Sequence, residues 1–352
     1  MRIFKLNVII TEVIIASLGI LVESAACSSI YFRSLSNIMM SGSKAVDIYA
    51  DSVAIAAERG MEECRNQFRW EPWGCPKESY NVFLRSQKYP ATKEMAFIHA
   101  MISASIVITL TRNCSLGHFN SCGCDETKKG PLGYAGWEWG GCSDNVKIGN
   151  KMAKHYMDSK EHGRDIQAMI NLHNNRVGRM MVKRNMRRMC KCHGVSGSCE
   201  MKTCWMRVQE LKPIGELLKK AYDSAVPVEY NDNALIRTVK RRRHHHENSI
   251  YYQQRPKLPK NQLIYNEISP NYCVGNKTAG VAGVSGRQCS RRTGSDVSDA
   301  ERASCKTLCR ACGYNIQVKT VVVESVCKCK FEWCCDVKCK TCVEKVAQHQ
   351  CV

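Results

Sequence analysis

Cys190-Lys191-Cys192-His193-Gly194-Val195-Ser196-Gly197-Ser198-Cys199-Glu200-Met201-Lys202-Thr203-Cys204-Trp205 is the stretch that decides how this chain folds. Cysteines two apart on a strand share a face, so Cys190 and Cys192 can meet partners on a returning strand. Nested pairing, Cys192 with Cys199 and Cys190 with Cys204, would clamp a hairpin over residues 190–204 whose tip is Gly194 to Ser198. Glycine on both sides of that tip lets the backbone turn sharply and leaves Ser196 bare. A serine so presented can serve as a nucleophile, a hydrogen-bonding turn residue or the acceptor of a covalent group. Gly-Val-Ser-Gly-Ser has the outline of a serine hydrolase motif. A tip held by cystines, however, offers no oxyanion hole or buried base, and His193 is too close in sequence to be oriented easily by a third group. Cys190, Cys192, His193 and Cys199 have the ligand types of a zinc site, but an exported chain would oxidise those thiols, so no metal is expected.

Export follows from the cysteines and from the N-terminus. The chain has 352 residues and 23 cysteines, and a cytosolic protein with that many thiols would need metal or be redox-labile. Arg2 and Lys5 precede a mostly apolar run from Val8 to Val22, interrupted by Glu12, and Ser24-Ala25-Ala26 offers small residues for cleavage. Residues 1–26 therefore read as a signal peptide; a membrane anchor is the alternative, and the segment is short for one. Setting aside Cys27 beside the cleavage site leaves an even number. Ten cysteines lie between Cys64 and Cys204, twelve between Cys273 and Cys351, and none from Trp205 to Tyr272. Two even groups suggest two domains that each close their own bridges.

Outward from the hairpin, the N-terminal portion (27–224) reads as helical. Ala45, Val46, Tyr49, Val53, Ile55 and Ala56 recur mostly at helical spacing between Ser43 and Phe68. A second helix should start near Thr92, whose hydroxyl can cap free amides. Met95 to Thr111 carries no charge, which suits a helix buried on nearly all sides, with His99 a satisfied core histidine. A third helix covers roughly Asp165 to Asn185. Cys114 to Cys142 is a Gly- and Cys-rich loop carrying Trp137 and Trp139.

Residues 225–263 read as a flexible basic linker. Its run Lys240-Arg241-Arg242-Arg243-His244-His245-His246 cannot pack; glycan binding, cleavage after the arginines and a fortuitous metal site at the histidines are the competing readings. Residues 264–352 have the opposite period. From Cys327 to Lys340 the cysteines, Phe331, Trp333 and Val337 mostly fall on odd positions and charges dominate the even ones, and β-branched Ile316 to Val323 precedes them, which together mean β-strands. With so little apolar material, cystines must hold this part together. The class is α+β: a helical N-terminal domain with a cystine-clamped hairpin, then a small disulfide-rich β domain. A net charge of +20 in an exported chain points to sulfated glycans or anionic headgroups rather than nucleic acid. Asn113-Cys114-Ser115 and Asn276-Lys277-Thr278 are glycosylation sequons.

The 190–205 stretch closely resembles the signature of the Wnt family of secreted signalling proteins, and the resemblance runs from about Ser41 to Cys351. It includes Glu63-Cys64-Arg65-Asn66-Gln67-Phe68, Trp139-Gly140-Gly141-Cys142-Ser143, Asn171-Leu172-His173-Asn174-Asn175 and Phe331-Glu332-Trp333-Cys334-Cys335. Cys305 followed by Cys309-Arg310-Ala311-Cys312-Gly313, and Thr111-Arg112-Asn113-Cys114-Ser115, look like the family's eighth branch. Gly74 stands before Cys75 where the family usually has asparagine, and the run around Arg242 has no matched counterpart.

The resemblance implies a hand: a thumb hairpin on the helical domain and an index finger on the C-terminal one. It implies that Ser196 receives a monounsaturated (palmitoleoyl) chain from the membrane-bound acyltransferase Porcupine, with Wntless as carrier during secretion and no other cofactor. That chain would lie in a groove of the cysteine-rich domain of a Frizzled receptor, with Lys191, Val195 and Met201 as supporting contacts. Phe331 and Trp333, beside a vicinal Cys334–Cys335 disulfide, would dock at a second Frizzled site. Implied with these are a lipoprotein-receptor-related co-receptor, heparan sulfate proteoglycans, an extracellular and matrix location, and a role in patterning and cell fate. The implied pairing joins Cys64 to Cys75, Cys114 to Cys122, Cys124 to Cys142, Cys273 to Cys312, Cys289 to Cys305, Cys309 to Cys351, Cys327 to Cys342 and Cys329 to Cys339. The expectation is a non-enzymatic ligand; the alternative from another class is a secreted hydrolase using Ser196.

Overall fold

Apolar side chains at helical spacing build the first element, α1 (Ser43–Gln67), in which Val46, Tyr49, Val53, Ala56, Ala57 and Met61 are buried. The computed structural model describes residues 43–77, 90–128, 132–133, 137–161, 165–231, 234–238, 258–276, 281–333 and 335–352. The signal peptide expected at 1–26 and the basic run 240–246 lie outside the described residues. Helix α2 (Lys93–Ser115) begins where Thr92 Oγ1 accepts from the Met95 amide at 3.4 Å. Its central residues Phe97 to Leu110 are nearly all buried, so a helix apolar and long enough to cross a membrane serves as a core helix. His99 is buried there as expected. Helix α4 (Ile166–Arg184) starts at Asp165, whose carboxylate accepts from the Ala168 amide at 2.8 Å.

Two further helices were not read from the sequence. Helix α3 (Val146–Asp158) is capped by Asn145 and buries Val146, Gly149, Met152, Ala153 and Met157. Helix α5 (Leu211–Asp223) buries Ile214, Leu218 and Ala221. Both show the three-to-four-residue apolar spacing that betrays an amphipathic helix.

The chain divides into two compact units: residues 1–59, 102–163 and 175–214 form one, and 60–101, 164–174 and 215–352 the other. In the first, Tyr49 donates to the Met152 carbonyl (3.2 Å) and Ser105 to the Ala56 carbonyl (2.6 Å). Arg179 and Asp158 form a two-pronged ion pair at 2.8 and 3.1 Å. A four-stranded sheet of order β1-β2-β4-β3 completes this unit, from β1 (Leu132–Gly133), β2 (Trp137–Trp139), β3 (Arg187–Cys192) and β4 (Lys202–Arg207). Strand β4 runs parallel to β2 and antiparallel to β3.

In the second unit Phe68 meets Trp73, Phe97 and Tyr222 edge-on, with ring centroids 4.7–4.9 Å apart. Beside them the buried Glu94 accepts from Tyr222 (2.9 Å) and Ser269 (2.7 Å). Arg287 donates to the carbonyls of Arg69, Glu71 and Pro72, which leaves no room for a side chain at Gly74: a Cβ there would lie 2.9 Å from the guanidinium.

The segment 225–263 is not a flexible loop throughout. Residues expected to form a flexible loop over 225–263 instead include β5 (Val226–Asn231) and β6 (Ala234–Arg237), antiparallel to each other, with β5 parallel to β7 (Ile264–Tyr265). The reason is alternation: Val226 and Val228 face inward and pack with Ala91, Ile170 and Ile264. Asn174 fastens β7 through both its amide and its carbonyl, at 2.9 and 3.0 Å from Ile264.

The C-terminal part holds β8 (Gln288–Cys289), α6 (Asp299–Ser304), β9 (Ile316–Glu332) and β10 (Asp336–Cys351), with sheet order β8-β10-β9. Its apolar core is Val284 and Leu308 among Cys289, Cys305, Cys309 and Cys351. Beyond that cluster the β9–β10 ribbon has most of its side chains exposed on both faces. Such a ribbon lacks the burial to stand alone, and cross-links take that role.

Candidate functional site

Ten cystines are closed: 64–75, 114–122, 124–142, 190–204, 192–199, 273–312, 289–305, 309–351, 327–342 and 329–339. The pairs are those the hairpin reading and the family resemblance imply. Among the described residues none joins a cysteine before Trp205 to one after Tyr272. Four of these cystines build two exposed hairpin tips, one in each unit.

In the first tip, Cys190 lies directly opposite Cys204 in the β3–β4 ladder. Past the ladder the chain is closed by backbone bonds from His193 to Met201 (2.7 Å), Gly194 to Ser198 (2.8 Å), Gly197 to Gly194 (2.9 Å) and Ser198 to Val195 (3.1 Å). Gly194 is required: a Cβ there would lie 1.9 Å from Ser198 Oγ. Ser196 occupies the left-handed region at φ 54°, ψ 27°, a conformation that costs a non-glycine residue roughly 1–2 kcal/mol. The clamps on either side hold it there, with Gly197 following at φ 79°. Ser196 is exposed, and among the described residues its hydroxyl has no hydrogen-bond partner. Its neighbours Val195 and Met201 are 87% and 67% exposed. Lys191 is exposed on β3, as are Arg187, Arg188 and Met189. Met189 was missed from the sequence; period-two alternation puts it on the face of Lys191, which is the signal that finds it.

This arrangement leaves the Ser196 hydroxyl accessible from outside the protein. The Ser196 hydroxyl meets solvent, His193 is itself exposed, and no base is bonded to the hydroxyl among the described residues. No grouping of His, Cys, Asp or Glu fit to hold a metal occurs among them either.

The second tip ends the β9–β10 ribbon. Phe331 and Trp333 are 68% and 93% exposed, so neither belongs to a core. Below them Lys328 has φ 48° and the register slips by one residue between Lys338 and Lys340, a bulge that sets the tip at its own angle. Cys335 is exposed with φ 74°. Cys334 lies outside the described residues, so the vicinal disulfide expected there does too.

The two sequons differ. Asn113 sits inside α2 with its amide donating to Ser52 Oγ at 2.7 Å, whereas Asn276 is exposed at a loop bridge with Val281.

The sequence profile of the wnt family matches residues 34–352. Protein Wnt-8c of Gallus gallus is 43% identical over 318 residues, covering 90% of this chain and 88% of that protein. Protein Wnt-8a of Homo sapiens is 40% identical over 336 residues, covering 96% and 93%. A chain in the solved structure of human WLS in complex with WNT8A superposes with a TM-score of 0.63 at 38% identity, covering 90% of this chain and 99% of that one.

Proposed function

The chain belongs to the Wnt family and is a secreted Wnt signalling ligand, and from that premise we propose that it acts through a fatty acyl chain on Ser196 and an aromatic tip at Phe331 and Trp333. The observation that carries this reading is the exposed Ser196 hydroxyl, unbonded among the described residues and projected by two nested cystines between exposed Val195 and Met201. An acyltransferase needs a hydroxyl that can leave the protein surface and enter its own site, and this turn supplies one. Porcupine, the acyltransferase of the family, is the enzyme we assign to that step. The chain passes to the cell surface on Wntless; that one of its structural neighbours comes from human WLS in complex with WNT8A supports this.

At the receptor, the acyl chain enters the groove of a Frizzled cysteine-rich domain. Each buried methylene contributes ~0.8 kcal/mol, so one chain supplies a large share of the affinity and still leaves membrane anchoring reversible. Val195, Met201 and Lys191 surround the base of the chain. Phe331 and Trp333 engage a second Frizzled surface: exposed aromatic anchors on a rigid tip lose little entropy when buried, which is what interface hot spots require. A lipoprotein-receptor-related co-receptor completes the complex. The +20 charge retains the ligand on heparan sulfate in the matrix.

The test is the intact mass of secreted protein with and without Porcupine. An acyl adduct that disappears in Ser196→Ala, together with binding to the Frizzled domain, is the expected result. Receptor-competent protein with residue 196 unacylated would overturn the reading. Labelling of Ser196 by a fluorophosphonate would favour the hydrolase alternative.

A further inference from the structure

The β9 strand leaves one edge open along its length: in the sheet order β8-β10-β9 its outer side has no strand partner among the described residues. Exposed edges are normally blunted by lysines, prolines, bulges or short strands, because unpaired backbone groups template pairing with another chain. This edge is blunted mainly in its outer part. There Lys328 and Lys330 alternate with cysteines and the register slips. The inner part, Ile316 to Cys327, keeps an unbroken register with β10, from Ile316 opposite Cys351 to Cys327 opposite Lys340. It has no proline or glycine, its charges are Lys319 and Glu324, and Val318, Val322 and Val326 are each more than half exposed on one face.

We propose that this inner edge pairs with the same edge of a second copy of the chain, antiparallel about a two-fold axis at Val322. The sequence is self-complementary in that register. Val322 faces Val322 of the second copy, Val318 faces Val326, and Thr320 faces Glu324, all on one side. On the other side Val321 faces Val323 and Lys319 faces Ser325. No like charges oppose one another, and each charge meets a hydroxyl. Shifting the axis by one residue to Val321 or Val323 sets Glu324 against Val318 or Val322 and loses this match. A symmetric pair of this kind closes on itself and does not grow into a fibre. The result is one continuous ribbon sheet, β10-β9 of one copy joined to β9-β10 of the other, with the valine faces contiguous.

The inference is independent of acylation, and its test removes the acyl chain, which would itself drive association. Full-length Ser196→Ala protein is examined by sedimentation velocity across the micromolar range, alone and with Val322→Lys or Val322→Glu added. The expected result is a monomer–dimer equilibrium whose midpoint rises about tenfold or more in either charged variant, because like charges directly opposite destabilise a strand pair. Mixing the Lys and Glu variants in equal amounts restores the dimer, which also shows that both are folded. A parent that is monomeric throughout overturns the proposal, as does a dimer unaffected by either charge or a mixture that does not recover.

Discussion

Removing the inner clamp of the first tip isolates what a cystine does for the Ser196 turn. In Cys192→Ser/Cys199→Ser, a closure over a separation of 7 residues is lost while the outer one over 14 remains. Loop-closure entropy for so short a loop is worth about 2.4 kcal/mol, against about 3.0 kcal/mol for the outer bridge. The turn also holds itself by the Gly194–Ser198, Gly197–Gly194 and Ser198–Val195 backbone bonds. Those bonds must now resist an opening whose entropy is no longer restrained. Opening becomes easier by up to about 2.4 kcal/mol, which is about 50-fold in amide exchange. Hydrogen–deuterium exchange of the secreted double variant reads this directly. The Gly194, Gly197 and Ser198 amides should accelerate, while the β3–β4 ladder around Cys190 and Cys204 stays protected. Unchanged rates at the turn would refute the reasoning, since the turn would then stand on its hydrogen bonds alone. Equal acceleration in the ladder would refute it differently, because the hairpin would be opening as one piece.

Asp158→Ala leaves the Arg179 guanidinium, whose side chain is 5% exposed, buried without its partner; a loss of about 3 kcal/mol and a lower thermal midpoint are expected, with Asp158→Asn losing less. Burial first, and then the Glu94 carboxylate, push the Tyr222 and Tyr272 phenols above the ordinary tyrosine range. Both phenols are protonated in folded and unfolded chains below pH ~10, so stability is unaffected there. At higher pH the unfolded chain releases protons that the folded one keeps, and stability falls. Urea midpoints taken on either side of that value should show the fall, and Tyr222→Phe should make it shallower. Phe331→Ala and Trp333→Ala remove side chains that touch little of the chain itself, so thermal unfolding should not move while binding to the Frizzled domain weakens; a drop in stability would mean that the tip packs inward.

Local pattern accounts for most of what was legible. Cysteines two apart with glycine between the pairs announced a clamped turn, and an uncharged run from Met95 to Thr111 announced a core helix. Helices α3 and α5 were overlooked although their apolar spacing is equally local. The β5–β6 pair was hidden because Val226 and Val228 are two short signals beside a long basic run, and their worth depends on Ala91, Ile170 and Ile264, remote in sequence. The same limit hid Arg287, one of many arginines until the carbonyls of residues 69–72 surround it, and Glu94, whose burial is tolerable only with Tyr222 and Ser269 in place.

By itself the sequence determined that this chain is exported and oxidised, that it joins helices to a cystine-rich ribbon, and that a cystine-clamped turn carries Ser196, since periodicity and cysteine spacing act over a few residues. Tertiary structure alone decided that Ser196 turns left-handed and that, among the described residues, its hydroxyl is unbonded, Phe331 and Trp333 stand outside any core, and the inner edge of β9 is open. Exposure is a property of what fails to cover a residue, and covering groups arrive from anywhere along the chain.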